Sequence, residues 1–369
     1  LIPIYKILSY PISIIYGSII GFRNWLYKTQ FIGSTSFSIP IISIGNLNVG
    51  GSGKTPFVEL LIELLHPQYK LGVLSRGYKR KTSGFLMVQQ QHTASIVGDE
   101  PLMVKLKYPS TIVAVGEERV MAIPRLMQLA PQTQLILLDD AFQHQSVRPD
   151  INILLTTFDK PFFEDSILPL GTLREHISGK KRANIIIVSK CPEQFSMDAQ
   201  NEFIRKIQPH AQQRVFFTTQ IYGAAYHLFL MNEKVPLHKS EEYLLVTGIA
   251  KASYLKEYIL SQVHNIIHYE YDDHHPFEIQ ELESMHQNYP YLKTWLTTEK
   301  DAVRLAPFRD WFAQQQIAIY CIPVQTQFIG NTANIFEKTI KGYLDFYYQD
   351  EIKNENEQIQ SDTNKPNDD

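Results

Sequence analysis

The chain has 369 residues, 44% of them apolar and 20% charged, with a formal net charge of −3. That length can bury a large core and suits two domains, while the near-neutral charge excludes a broad nucleic-acid footprint, which needs a basic surface. Two cysteines, Cys191 and Cys321, stand far apart without metal-ligand spacing, which argues against disulfides and a cysteine zinc site and fits a reducing cytosol.

Residues 1–36 are rich in Ile, Leu, Tyr, Phe and Trp. No Asp or Glu precedes Glu59, whereas Lys6, Arg23 and Lys28 do. The uncharged run from Ile7 to Phe22 is broken by Pro11 and Ser13, and it is shorter than the ~20 apolar residues of a spanning helix. It also lacks the small-residue cleavage site of a signal peptide. The composition predicts a segment lying in a membrane interface, with Tyr16, Trp25 and Tyr27 near the headgroups and the cations towards anionic lipid. The blander alternative is a helix packed on the protein's own core.

Ile39 to Ile44 reads as a buried strand and Phe57 to Leu65 as an amphipathic helix. Between them lies Asn48-Val49-Gly50-Gly51-Ser52-Gly53-Lys54-Thr55, a Gly-rich strand-to-helix turn ending Gly-Lys-Thr. This is the arrangement of a phosphate-binding P-loop. Residues 48–55 would wrap phosphate oxygens with backbone N–H groups, helped by the positive end of the helix dipole. Lys54 would reach the β- and γ-phosphates, and Thr55 would ligate Mg²⁺. Asn48 stands where the usual pattern has Gly, and a left-handed backbone at Asn48 would keep the turn feasible.

Leu71 to Leu74 predicts a second strand, running into the basic loop Ser75-Arg76-Gly77-Tyr78-Lys79-Arg80-Lys81. Cations at a strand's C-terminal end suit phosphate binding, although a solvated loop is the bland reading. Asp99 falls in a loop before the helical pattern Leu102 to Leu106, where an N-cap is the structural alternative to a chemical role. Thr111 to Val115 predicts a strand and Glu117 to Leu129 a helix. Leu135 to Leu138 followed by Asp139-Asp140 has the Walker B form, an acid at a strand end placed to hold Mg²⁺. Ile151 to Leu155 and Asn184 to Val188 predict two more buried strands. Arg174, between them, is a candidate to neutralise charge on a transferring phosphoryl group. Ser189-Lys190-Cys191-Pro192 lacks the acid of a guanine reader, so GTP is not inferred.

The alternation to about residue 220 predicts an α/β fold: a P-loop NTPase-like, mostly parallel sheet with helices on both faces. A second, smaller α/β unit begins near Tyr243. It has strands at Leu244 to Val246, Ile266 to Tyr271, Trp295 to Thr298 and Ile317 to Ile322, and a last helix from Ile335 to Phe346. The expected division is an N-terminal segment (1–36), a P-loop core (37–225), a linker (226–242), a C-terminal domain (243–347) and a disordered tail (348–369).

A P-loop with an acid pair binds a triphosphate but does not name the acceptor. A kinase needs a group for the hydroxyl proton, and Asp99 with His274 could supply it if the fold brings them together. His274 and His275 beside Asp272 and Asp273 could also form a metal cluster or simply a polar turn.

Taken together, the motifs resemble the tetraacyldisaccharide 4′-kinases of lipid A biosynthesis. The resemblance rests on Gly45-Asn46, the P-loop through Pro56, Ser75-Arg76-Gly77-Tyr78, Gly98-Asp99-Glu100-Pro101, Asp139 to His144, Pro169 to Glu175, Asp273-His274 and Thr298-Glu299-Lys300-Asp301, in the family's order. The family shares the departure at Asn48, whereas Ala141 stands where it usually has Gly. The resemblance implies that ATP phosphorylates the 4′-hydroxyl of a tetraacylated glucosamine disaccharide 1-phosphate to give lipid IVA. It implies catalytic roles for Asp99 as base, His274 as its partner, Lys54 and Arg174. It places the nucleotide on residues 48–55 and Mg²⁺ on Thr55, Asp139 and Asp140. Arg76 and Tyr78 would lie near the acceptor, and the second domain would close to bring His274 to Asp99. The lipid acceptor implies peripheral attachment to the cytosolic face of the bacterial inner membrane, with no protein partner required. Read without the resemblance, the motifs also allow a membrane-associated P-loop NTPase switch or a nucleotide-dependent adaptor.

Overall fold

The computed structural model describes residues 4–230 and 234–363. The strands are, in chain order, β1 (Ile41–Asn46), β2 (Leu71–Ser75), β3 (Leu86–Met87), β4 (Ile112–Val115), β5 (Leu135–Leu138), β6 (Ile151–Thr157), β7 (Ile185–Ser189) and β8 (Arg214–Tyr222). They continue as β9 (Ala225–His227), β10 (Lys234–Val235), β11 (Tyr243–Thr247), β12 (Ile266–Glu270), β13 (Thr294–Thr298), β14 (Ala318–Ile322) and β15 (Val324–Phe328). The helices are α1 (Ile4–Lys28), α2 (Lys54–Leu65), α3 (Ala94–Val97), α4 (Asp99–Lys107), α5 (Arg119–Leu129) and α6 (Met197–Ile207). After them come α7 (Ser253–Gln262), α8 (Ile279–Asn288), α9 (Glu299–Leu305), α10 (Arg309–Gln314) and α11 (Ala333–Thr363).

Two sheets result. The first has nine strands in the order β15-β8-β7-β6-β1-β5-β2-β4-β3, parallel except at its two edges. The predicted apolar runs are its central strands. Every residue of β1, β2 and β5 is buried, because helices cover both faces and no strand face meets water. On one face Phe57 and Leu61 of α2, Leu102 of α4 and Phe336 of α11 pack on Ile42, Val73 and Leu137. The other face packs Leu126 of α5 on Ile136, and Phe203 of α6 on Val188. The second sheet, β10-β9-β14-β13-β11-β12, is likewise sandwiched, by Leu282 of α8 and Phe312 of α10 on one face and by Ile259 of α7 on the other. The expected α/β class with a mostly parallel sheet and a second, smaller α/β unit is what forms.

The expected boundaries do not follow the sheets. Residues 226–242, read as a linker, hold β10 and most of β9, which extend the second sheet beside β14. (Residues 231–233 lie outside the described residues.) At the other end, β15 returns to the first sheet as an antiparallel neighbour of β8. Helix α11 follows it, and Phe336 meets Phe57 and Phe216 edge-on. A domain cut at 347 would strip these aromatic rings from the P-loop core. The tail read as disordered from 348 continues α11 to Thr363, and residues 364–369 lie outside the described residues. Propagating a formed helix costs far less than nucleating one, and Glu, Gln, Lys and Ile are residues that favour it.

Helix α1 is turned inside out relative to an ordinary surface helix. Its polar side chains grip the protein. Ser13 Oγ donates to Ile167 O and accepts from Leu170 N, both at 3.0 Å, and Tyr16 Oη donates to Arg174 O at 3.0 Å. Arg23 donates to Gln143 O at 2.9 Å and Asn24 to Glu175 at 2.8 Å. The apolar Ile12, Ile14, Ile15, Ile19, Phe22 and Trp25 point outward. Tyr16 therefore faces the core, against its expected headgroup position, whereas Trp25 is exposed. No helix among the described residues is long and apolar enough to cross a membrane.

Candidate active site

The P-loop leaves β1 at the centre of the first sheet and enters α2. Gly53, at φ 78°, is the left-handed residue before the helix, a conformation that a side chain would strain. Lys190 donates to Gly51 O at 2.7 Å and Ser189 Oγ to Ser52 O at 2.8 Å, so the end of β7 props the loop from below. Asn48 does not take the left-handed backbone anticipated for it. Its side-chain amide donates to Asp165 Oδ2 at 2.8 Å, Val49 N donates to Thr172 O at 2.7 Å, and the Thr172 hydroxyl also binds Asp165. The loop preceding Arg174 thus clamps the entry of the P-loop, a job that Gly at position 48 would leave undone.

Lys54, the first residue of α2, lies 3.4 Å from Asp140 Oδ1 and donates to Asn46 Oδ1 at 3.3 Å. Arg174 reaches both oxygens of Asp140 at 3.3 Å. Burial works to raise the Asp140 carboxyl, but Lys54 and Arg174 outweigh it and hold it below the usual range. Asp139 goes the other way. Burial first, and the adjacent Asp140 second, push it up to about 6. Its Oδ2 accepts from Ser75 at 3.3 Å, while Oδ1 is buried with no hydrogen-bond partner. The left-handed residue in this turn is Asp140, at φ 48°, so Ala141 in place of Gly meets no backbone strain. Asn46 and Gln143, which carried no predicted role, tie the pieces together, since Gln143 Nε2 donates to Asn46 O at 2.7 Å and to Glu175 at 3.1 Å.

Asp99 and His274 meet. His274 Nδ1 lies 2.8 Å from Asp99 Oδ2, and both side chains are buried. Asp99 opens α4 after Gly98, whose backbone passes so close to Gly77 that a Cβ there would sit 3.2 Å from the Gly77 Cα. Those two glycines press the start of α4 onto the Arg76–Tyr78 loop. His274 sits after β12 in a left-handed turn at φ 65°, pinned by its N–H to Gly248 O at 3.0 Å. Arg304 of α9 donates to that same carbonyl at 2.9 Å and to His275 O at 2.8 Å, and its Nε is 3.3 Å from Asp99. The Tyr78 ring stands edge-on to His274 at 5.2 Å, and Arg76 is exposed beside it. Among the described residues no three His, Cys, Asp or Glu side chains form a metal cluster, which leaves the acidic turn around His274 as a polar turn that positions one ring.

Two rims therefore face each other. The first carries a lysine, an arginine and two carboxylates around a phosphate-sized turn. The second delivers an imidazole to a carboxylate on the first, and Glu100, beside Asp99, is near enough to Asp139 to help raise it. A carboxylate hydrogen-bonded to a ring N–H can accept a proton from a hydroxyl beside a bound phosphate.

Known proteins resemble the chain as a whole. The family model described as tetraacyldisaccharide-1-P 4′-kinase matches residues 5–344. Curated tetraacyldisaccharide 4′-kinases are similar along nearly the whole length. The one from Bacteroides thetaiotaomicron is 38% identical over 91% of this chain and 92% of its own. The one from Flavobacterium johnsoniae is 40% identical over 91% and 96%. Among solved structures, LpxK from Aquifex aeolicus, an "apo" form in complex with ATP, superposes with a TM-score of 0.70 at 26% identity, covering 90% of this chain and 98% of that one. A match that takes in both sheets and every motif of the two rims places the chain itself: it belongs to the tetraacyldisaccharide-1-P 4′-kinase family.

Proposed function

We propose that this enzyme transfers the γ-phosphoryl group of ATP to the 4′-hydroxyl of a tetraacylated glucosamine disaccharide 1-phosphate at a membrane surface. The observation that carries the reading is the buried Asp99–His274 pair at 2.8 Å, on a rim shared with a P-loop. The loop Asn48, Val49, Gly50, Gly51, Ser52, Gly53, Lys54 and Thr55 wraps the triphosphate, with N–H groups at the start of α2 donating to its oxygens while the Val49 N–H stays on Thr172 O, and the Lys54 ammonium follows the charge of the γ-phosphate. Asp99 takes the proton of the sugar hydroxyl as that oxygen bonds to the γ-phosphorus and the bond to the β,γ-bridging oxygen breaks, leaving ADP. Arg174 swings its guanidinium between Asp140 and the transferring group, stabilising spread negative charge. Arg76 and Tyr78 border the acceptor's phosphate and sugar.

Mg²⁺ would be held by Thr55, Asp139 and Asp140. The buried, unpartnered Oδ1 of Asp139 fits a hard cation that takes one or two carboxylates and completes its shell with phosphate and water. When bound, the ion neutralises charge on the β- and γ-phosphate oxygens. The outward apolar face of α1 seats the enzyme on the cytosolic face of the inner membrane, within reach of a lipid acceptor. The chain divides into the N-terminal segment 1–36, a P-loop unit that includes β15 and α11, and a smaller unit built on the second sheet.

The test supplies ATP labelled on the γ-phosphate together with the tetraacyldisaccharide 1-phosphate. Label is expected in the lipid. Release of free phosphate without a lipid product would favour a hydrolytic switch and overturn the kinase reading.

A further inference from the structure

The Thr298-Glu299-Lys300-Asp301 motif has no part in the chemistry described so far, yet it puts Lys300 in the first turn of α9, directly behind His274. The Lys300 ammonium makes three contacts: Glu100 Oε1 at 3.0 Å, Asp273 Oδ1 at 3.1 Å and His274 Nε2 at 3.0 Å. Burial opposes its charge, but the Glu100 and Asp273 carboxylates outweigh burial and raise the Lys300 pKa, so the group is an ammonium at neutral pH. An ammonium offers three donors and no acceptor. A ring nitrogen 3.0 Å from it must present its lone pair. The single proton of the neutral ring then belongs on Nδ1, the nitrogen that faces Asp99.

We propose that Lys300 is a positioning residue for phosphoryl transfer: by donating to Nε2 it fixes His274 as the neutral Nδ1–H tautomer, whose N–H holds Asp99 in place as a charged proton acceptor. This rests on the assignment of Asp99 as the base and adds a residue to that site.

The surroundings make the lysine necessary. Glu100 Oε1 and Asp273 Oδ2 each lie 3.7 Å from Nε2, and Asp99 faces Nδ1. Glu100 or Asp273 would accept from an Nε2–H and so favour the opposite tautomer. The remaining charged or titratable neighbours are Arg304 of α9, on Asp99, Tyr78 edge-on to the ring, and Lys79, which donates to Asp273 O at 3.2 Å. Only Lys300 places a cation against Nε2 among the described residues. Without it the ring proton can pass to Nε2, and Asp99 then loses the N–H that holds it. The ring would stay where it is, because the His274 N–H to Gly248 O bond and the Arg304 contacts to Gly248 O and His275 O do not involve Lys300.

The decisive measurement is a long-range ¹H–¹⁵N correlation of the full chain labelled at histidine nitrogens, with His274 assigned by the signals lost in His274→Gln. At neutral pH Nδ1 is expected to be protonated and Nε2 bare. A protonated Nε2 in the unaltered chain would overturn the proposal without any variant having to fold. Lys300→Met is expected to place the ring proton on Nε2 and to lower kcat at neutral pH by about tenfold or more with the KM for ATP unchanged. Lys300→Arg, also a donor only, should restore the tautomer and most of the rate. If Lys300→Met leaves both the tautomer and kcat in place, Lys300 has no such role. A chain that labels no lipid fails the kinase reading itself, whereas one that labels lipid with Nε2 protonated fails only the role given to Lys300.

Discussion

Asp99 and His274 are 175 residues apart in sequence and 2.8 Å apart in the fold. Asp99→Asn preserves the shape of that contact and removes the proton acceptor. It should lower kcat by about 10²- to 10⁴-fold with the ATP dissociation constant unchanged, because a general base acts chiefly in the transition state. Calorimetric titration with ATP beside steady-state rates checks this, and an equal loss of ATP affinity would remove Asp99 from the role. At Asn48 the usual sequence pattern misleads. Asn48→Gly restores the common P-loop form yet deletes the amide that holds Asp165, leaving a half-buried carboxylate short of a partner. The expected outcome is ATP binding weakened by about tenfold, read in the same titration. A P-loop can be recognised from Gly-Lys-Thr alone. What Asn48 does could not be, because its partners Asp165 and Thr172 lie more than a hundred residues on, in a loop with no periodicity to mark its path.

Among the elements, α1 and α11 show how far composition reaches. For α1 it indicated an apolar segment too short to span, and it could not say which side faces out. That was decided by Ser13, Tyr16, Arg23 and Asn24, which find carbonyl and carboxylate partners on the P-loop unit and so turn the apolar stripe to the outside. Ile15→Glu with Ile19→Glu should abolish sedimentation with anionic vesicles while the enzyme remains active on detergent-dispersed substrate. If the double variant still pellets as the parent does, the membrane assignment to this face fails. For α11 the apolar periodicity was legible but its docking site was not. Phe336 is fully buried against Phe57, Phe216 and Phe328 of the first sheet's core. Phe336→Ala is expected to cost about 3–5 kcal/mol in urea unfolding, the range for an aromatic ring removed from a packed core.

Over the whole molecule, the two sheets are joined by buried charge as well as by chain crossings. Lys107 of α4 lies 2.9 Å from Glu59 of α2 and 3.0 Å from Glu299 of α9, and Tyr226 of β9 donates to Glu299 at 3.0 Å. Burial, reinforced by Glu299 and opposed by Lys107, raises Glu59 from 4.5 to about 7. A carboxyl raised on folding takes up a proton as the chain folds. Stability from this group is therefore complete below about pH 4.5 and is lost as pH rises to about 7, by up to about 1.4 kcal/mol per pH unit inside that window. Glu59→Gln should flatten the fall in melting temperature between pH 5 and 7. An unchanged slope would show that Glu59 is ionised in the fold throughout.

By itself the sequence determined the parallel α/β core, the phosphate turn and the acid pair that follows a neighbouring strand. Each is encoded locally: a fully buried strand must be a continuous apolar run, and a backbone that wraps phosphate needs glycine at the bend. Only the tertiary structure decided that β15 and α11 return to the first sheet, that α1 faces outward, and that Lys300 stands behind His274. Those outcomes depend on pairings between distant segments, where the partner, and not the residue's own neighbours in the chain, fixes which side chain is buried and which proton it carries.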